Sequence, residues 1–157
     1  MAFPLDAPDQ EAILGRMESS LTLFADIRPA RFGRLRKVCP TIVLSRFLAR
    51  DSCGAFLPGT RSLLLALDFV QSSSDVVCAA VLQHELVHAW LDATSPTLTL
   101  RQMAIGERIA VRDMLLWLDR VAHAATLHDS DALVVTQLVE TNLQRHRHLS
   151  VPTSQAV

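Results

Sequence analysis

Hydrophobic positions along this chain fall into long stretches at helical spacing, interrupted by two short apolar runs. Ile13, Leu14, Met17, Leu21 and Phe24 predict an amphipathic helix over residues 10–27, stopped by Pro29. Arg28, Arg31, Arg34, Arg36 and Lys37 follow and read as a solvated loop, or as a holder of an acidic partner or a substrate carboxylate. Residues 41–47 open on a β-branched apolar stretch and predict a short strand. Pro58-Gly59 reads as a type II turn. The run 62–69 behind it reads as a second strand, apolar at most consecutive positions and so covered on both faces. Ser72, Ser73, Ser74 and Asp75 are N-cap material for a helix over 76–91, and Ser95-Pro96 breaks the chain. Helical patterns then cover about 98–125 and 131–145. One helix, a small β-sheet or hairpin and three further helices make an α+β fold with a helical C-terminal half.

Composition narrows the class. The 157 residues suffice for a single domain with a buried core, expected over 1–149, with a flexible tail at 150–157. A 50% hydrophobic and 20% charged chain is not disordered. A net charge of −1 speaks against nucleic acid or an anionic membrane as partner. The longest apolar run, 63–70, contains Asp68 and is too short to span a bilayer. Asp6, Asp9 and Glu11 stand where a secretion signal needs a basic start and an apolar stretch, so a cytoplasmic protein is expected, with signal-independent export left open. Cys39, Cys53 and Cys78 are odd in number and widely spaced, which makes no disulfide framework. Cys78 reads as core. The absence of tyrosine removes one common catalytic donor.

The chemistry concentrates in the helix over 76–91. Its only polar side chains are Gln83, His84, Glu85 and His88; the remainder is apolar or cysteine. A helix hydrophobic almost all round is a buried helix, and polar groups buried in it must be paired or bound to a metal. His84 and His88 are four residues apart and share one face, so both imidazoles can hold one ion. Two neutral imidazoles suit Zn²⁺, and Glu85 flanks their face within reach of a water on that ion, whose proton it is placed to take.

A catalytic zinc takes a third protein ligand and keeps one position open. Glu107 and Glu140 are the two glutamates after His88. Glu107 sits in an apolar stripe with Met103, Ala104, Ala110, Val111, Met114 and Leu118, while Arg101, Arg108, Arg112 and Asp119 belong to the other side. A carboxylate stranded there calls for a cation. His123 and His128 are alternative third ligands, against solvent-exposed imidazoles near a helix end. Asp92, one turn beyond His88, reads as a carboxylate orienting a ligand imidazole or as an ordinary polar helix end. Arg145, His146, Arg147 and His148 could bind a metal or anions, but read mainly as a solvated helix end.

The spacing HExxH, 18 residues, Glu resembles the gluzincin type of zinc metallopeptidase. That resemblance covers about residues 54–118 and implies His84, His88 and Glu107 as ligands, Glu85 as general base, a peptide or protein substrate, and a minimal zincin-like fold. The hairpin from Gly54 to Phe69 is similar to the sheet preceding the active helix in small zincins. There an edge strand pairs with extended substrate, a role expected here for the strand 62–69. Val111 stands where many gluzincins carry an acid, and Leu91 and Thr94 replace the glycine and third histidine of the metzincin pattern. Arg120, His123, His128, a C-terminal histidine or the backbone are candidate oxyanion donors. The alternative to a peptidase is a non-catalytic zincin-like regulatory or binding module that keeps the fold, with or without the metal. A third reading, an effector or toxin peptidase, has only the small size in its favour.

Overall fold

The computed structural model describes residues 7–46, 48, 52–95, 97, 99–124 and 127–145. The tail expected at 150–157, and His146, Arg147 and His148, lie outside the described residues. The fold is α+β, as the patterning predicts. Helix α1 (Ala7–Ile27) is followed by α2 (Pro29–Val38), β1 (Thr41–Ser45), β2 (Gly54–Leu57), β3 (Ser62–Ala66), a short α3 (Leu67–Ser72), α4 (Asp75–Thr94), α5 (Leu100–His123) and α6 (Asp129–Arg145).

Three sequence expectations change. The basic run is a helix, α2, because Pro29 both ends α1 and occupies the first turn of the next helix, where its fixed φ is suitable and its missing N–H costs nothing. Pro58-Gly59 forms a 3₁₀ turn (Pro58–Thr60), since Gly59 lacks the positive φ a type II turn needs. The left-handed residue is Arg61 instead (φ 50°), whose guanidinium donates to the Lys37 and Val38 carbonyls at 2.8 and 3.1 Å and so closes the end of α2. The strand beginning at Ser62 stops at Ala66, where its ladder partners Ser45 and the Cys53 carbonyl run out, and Leu67 and Val70 enter the core from α3.

The sheet order is β1-β3-β2, with β1 parallel to β3 (Thr41 opposite Ser62) and β2 antiparallel to it (Gly54 opposite Leu65). The strand expected to receive substrate is therefore the central one, flanked on both sides. Its ladder is already filled, which removes that role.

Helix α4 lies at the centre. Every residue from Val76 to Val87 is buried, and α1, α2, α5, α6 and β2 pack around it. Ser74 caps it by accepting from the Val77 N–H, and Thr99 with Gln102 closes a reciprocal capping box on α5. Trp117 of α5, fully buried, donates from its indole to the Val76 carbonyl at 3.1 Å and meets the Phe24 ring edge-to-face at 6.1 Å. Cys78 is core, as expected.

One polar tether crosses this core. Arg28, buried between α1 and α2, donates to Gln83 Oε1 of α4 at 2.7 Å and lies 3.7 Å from Asp113 of α5, which Arg31 also holds at 2.6 Å. Two members of the basic run thus serve an internal carboxylate. Asp113→Ala strands the buried Arg28 charge and should cost about 3–5 kcal/mol in chemical denaturation. Adding Arg28→Met should restore most of that loss; a single variant within 1 kcal/mol of wild type (roughly the range of exposed pairs) would contradict the tether.

Candidate metal centre

Helix α4 presents His84 and His88 on one face, one turn apart, with ring centroids 5.0 Å from each other. Their Nε2 atoms are 3.2 Å apart. Helix α5 brings Glu107 across from them: Oε2 lies 3.5 Å from His84 Nε2, and Oε1 lies 3.3 Å from His88 Nε2. His84 is 6% exposed, and the Glu107 side chain is 16% exposed. Residue 106 is glycine where α5 passes α4, and a Cβ there would come to 2.5 Å from Leu91 Cδ1, so that side chain would have to turn aside.

These separations test the fit of an ion. Donors bound tetrahedrally at 2.0–2.1 Å lie about 3.3 Å apart along each edge, whereas an octahedral cage of the same bond length sets neighbours about 2.9 Å apart. The 3.2 Å between the two imidazole nitrogens matches a tetrahedral edge, and the two Glu107 oxygens, each 3.3–3.5 Å from a different nitrogen, stand within reach of an ion held there. Two imidazoles and a carboxylate suit a divalent transition metal. Among the described residues these three form a group able to hold one.

Glu85 is 7% exposed and stands beside the group on the wall of the cleft. Burial, and then the Glu107 carboxylate, push its pKa up to about 8, while the Phe56 N–H, hydrogen-bonded to its carboxylate, acts the other way. The β2 backbone comes close because residue 54 is glycine: a Cβ there would lie 3.1 Å from Glu85 Cγ and 3.2 Å from the Leu64 carbonyl oxygen. The Cys53 carbonyl accepts from the Ala66 N–H, so the groups of Cys53 and Ala55 face β3 and those of Gly54 and Phe56 face outward. Ser52 Oγ donates to the Gly54 carbonyl, and the Phe56 N–H serves Glu85, so this rim is already partly engaged within the chain.

Two adjoining hollows open on the centre. The larger, about 340 Å³, is lined by Phe56, Pro58, Leu91, Asp92, Met103 and the metal-type residues. The smaller, about 60 Å³, runs behind Glu85 between Ser52, Cys53, Val81 and α6. Gly54, His84, Glu85, Asn142 and Arg145 line both. Burial raises the Cys53 pKa above the ordinary thiol value, which keeps it a neutral thiol on this wall.

The sequence candidates divide accordingly. His84, Glu85, His88 and Glu107 come together, and Asp92 joins them in the cleft wall. His123, Arg120 and His128 do not. At 1.5 Å per residue, His123 is about 24 Å along α5 from Glu107, Arg120 about 20 Å, and His128 is about 21 Å along α6 from Asn142. All three are exposed at the far end of the helical layer. Sequence reading missed Asn142 and missed the place of Arg145 in the cleft; their three-residue spacing on one face of α6 was the available signal. No protein-family profile matches the chain, and no curated protein or solved structure matches it either.

The Glu85 environment sets a pH dependence for the metal-free protein. Its folded pKa of about 8 exceeds the ordinary 4.5, so unfolding releases a proton between those values and stability falls as pH rises through that window. Burial shifts Glu107 in the same direction. The melting temperature of chelator-treated protein should drop across this range, and Glu85→Gln should remove most of the slope. A flat or rising profile would contradict the assignment.

Proposed function

We propose that this chain is a zinc-dependent peptidase in which His84, His88 and Glu107 hold the ion and Glu85 is the general base. The observation that carries the reading is the convergence of two Nε2 atoms and one carboxylate within 3.2–3.5 Å of one another, with a second carboxylate buried beside them. Bound Zn²⁺ supplies a Lewis acid that polarises the scissile carbonyl and makes the attacking water acidic.

The chain's own residues do the rest. Glu85 accepts the proton of the attacking water and returns it to the leaving amine. The Phe56 N–H favours the charged form of that carboxylate, the form that accepts the proton. Leu91, Met103, Phe56 and Pro58 give the larger hollow an apolar lining for substrate side chains. Enclosure by β2 and α6 thins the water around the reacting groups, which strengthens each electrostatic contact there. No helix among the described residues is long and apolar enough to cross a membrane; a cytoplasmic setting belongs to this proposal.

Protein purified without a polyhistidine tag should carry about one zinc per chain, measured by elemental analysis. His88→Ala should lose it, and Glu107→Ala should weaken it by less than removal of both histidines. Glu85→Gln should keep fold and metal and lower peptide hydrolysis by about 10²–10⁴-fold, because glutamine keeps the shape but accepts no proton. Full zinc content in His88→Ala would place the metal elsewhere. Zinc-loaded wild type inert on a broad peptide library would leave the non-catalytic module, and an equally active Glu85→Gln would assign the cleavage to another site.

A further inference from the structure

Arg145 ends α6 where the two hollows meet, and among the described residues it is the sole arginine or lysine that lines either. Asn142, one turn earlier on the same face, lines the same junction. Burial raises the pKa of Cys53 and the Arg145 charge opposes that shift, which puts its guanidinium within electrostatic reach of this wall. The cleft is otherwise acidic: Glu85, Glu107 and Asp92 line it. Asp92 lies eleven residues beyond Val81 on α4, about 16 Å along the axis, and Arg145 lines the smaller hollow beside Val81, which Asp92 does not. A substrate carboxylate entering this acidic cleft finds its opposite charge at Arg145. The two buried-side arginines of the basic run, Arg28 and Arg31, are committed to Asp113 and do not compete for it.

The geometry points to Arg145, with Asn142 beside it, as the anchor for a carboxylate of the substrate. This rests on the peptidase reading and adds a substrate class: peptides that place a carboxylate, either their own C-terminus or an acidic side chain, on the α6 side of the centre. A guanidinium binds a planar carboxylate through two parallel N–H···O bonds, and the Asn142 amide supplies a further donor.

Calorimetric binding to the zinc-loaded Glu85→Gln protein, which leaves peptides intact, tests this with two pairs of probes. One pair is an acetylated alanine tripeptide with a free C-terminal carboxylate and its amide. The other is a doubly capped peptide with an internal glutamate and its glutamine twin. In at least one pair the acid should bind roughly 10- to 100-fold tighter than its neutral twin, and the pair that shows it identifies the source. Adding Arg145→Gln should bring that ratio close to one with zinc content and neutral-peptide affinity unchanged, while Arg145→Lys keeps part of it. Equal binding of acids and neutral twins, no binding of any probe, or a ratio unaltered by Arg145→Gln overturns the assignment. Hydrolysis by the Glu85 protein is scored separately. Cleavage without acid preference sinks the anchor and leaves the peptidase reading; Arg145-dependent preference without cleavage supports the anchor and sinks that reading.

Discussion

A helix whose surface is apolar nearly all the way round has to be sheathed on every side, and α4 draws α1, α2, α5, α6 and β2 around it to that end. Among the polar side chains in its buried middle, the sheath closes over Gln83 completely and leaves His84, Glu85 and His88 on a cleft beside β2, α5 and α6. Each meets a partner from a different neighbour: Gln83 meets Arg28, Glu85 the Phe56 N–H, and the two histidines Glu107. Burying an unpaired polar group costs several kcal/mol, about as much as a whole domain has to spare. The candidate centre is therefore continuous with the core: the same packing that stabilises the fold brings the donors together.

How much of this is legible in the sequence depends on whether the signal is local. The α4 segment is readable because its composition alone demands burial, and His84, Glu85 and His88 share one short run. Glu107 is readable because a carboxylate among Met103, Ala110, Val111 and Met114 contradicts its own helix face. Strand order is different in kind. Nothing in Ser62–Ala66 says that β1 will pair with it in parallel, so a central strand and an edge strand look alike from its residues. Helix α2 is hidden by its arginines, which read as solvated until Arg28 and Arg31 find a buried acid. Asp113 is hidden in turn, because beside Arg112 it resembles one more charge on an outer face. Arg145 reaches the cleft only once α6 has docked against α4 and α5.

The tether and the centre use the same two helices, and this bears on precision. Apolar contacts between α4 and α5 resist separation far better than they resist sliding, since one residue of slip exchanges one set of methyl contacts for another. A slip of one residue moves a side chain about 1.5 Å along the axis, enough to carry Glu107 out of the 3.3 and 3.5 Å spacing it keeps from the histidines. Hydrogen bonds are directional and tolerate no such shift. Gln83 adjoins His84 on α4, and Asp113 lies six residues, about 9 Å, beyond Glu107 on α5. Arg28 is hydrogen-bonded to Gln83 and faces Asp113, while Arg31 grips Asp113 from the other side, so the pair is pinned in register at a point just past the donors. Gly106 leaves room for the Leu91 side chain where α5 passes α4 beside Glu107, and the packing of the two helices sets their distance. Register and distance together place one carboxylate against two imidazoles, and neither alone is sufficient.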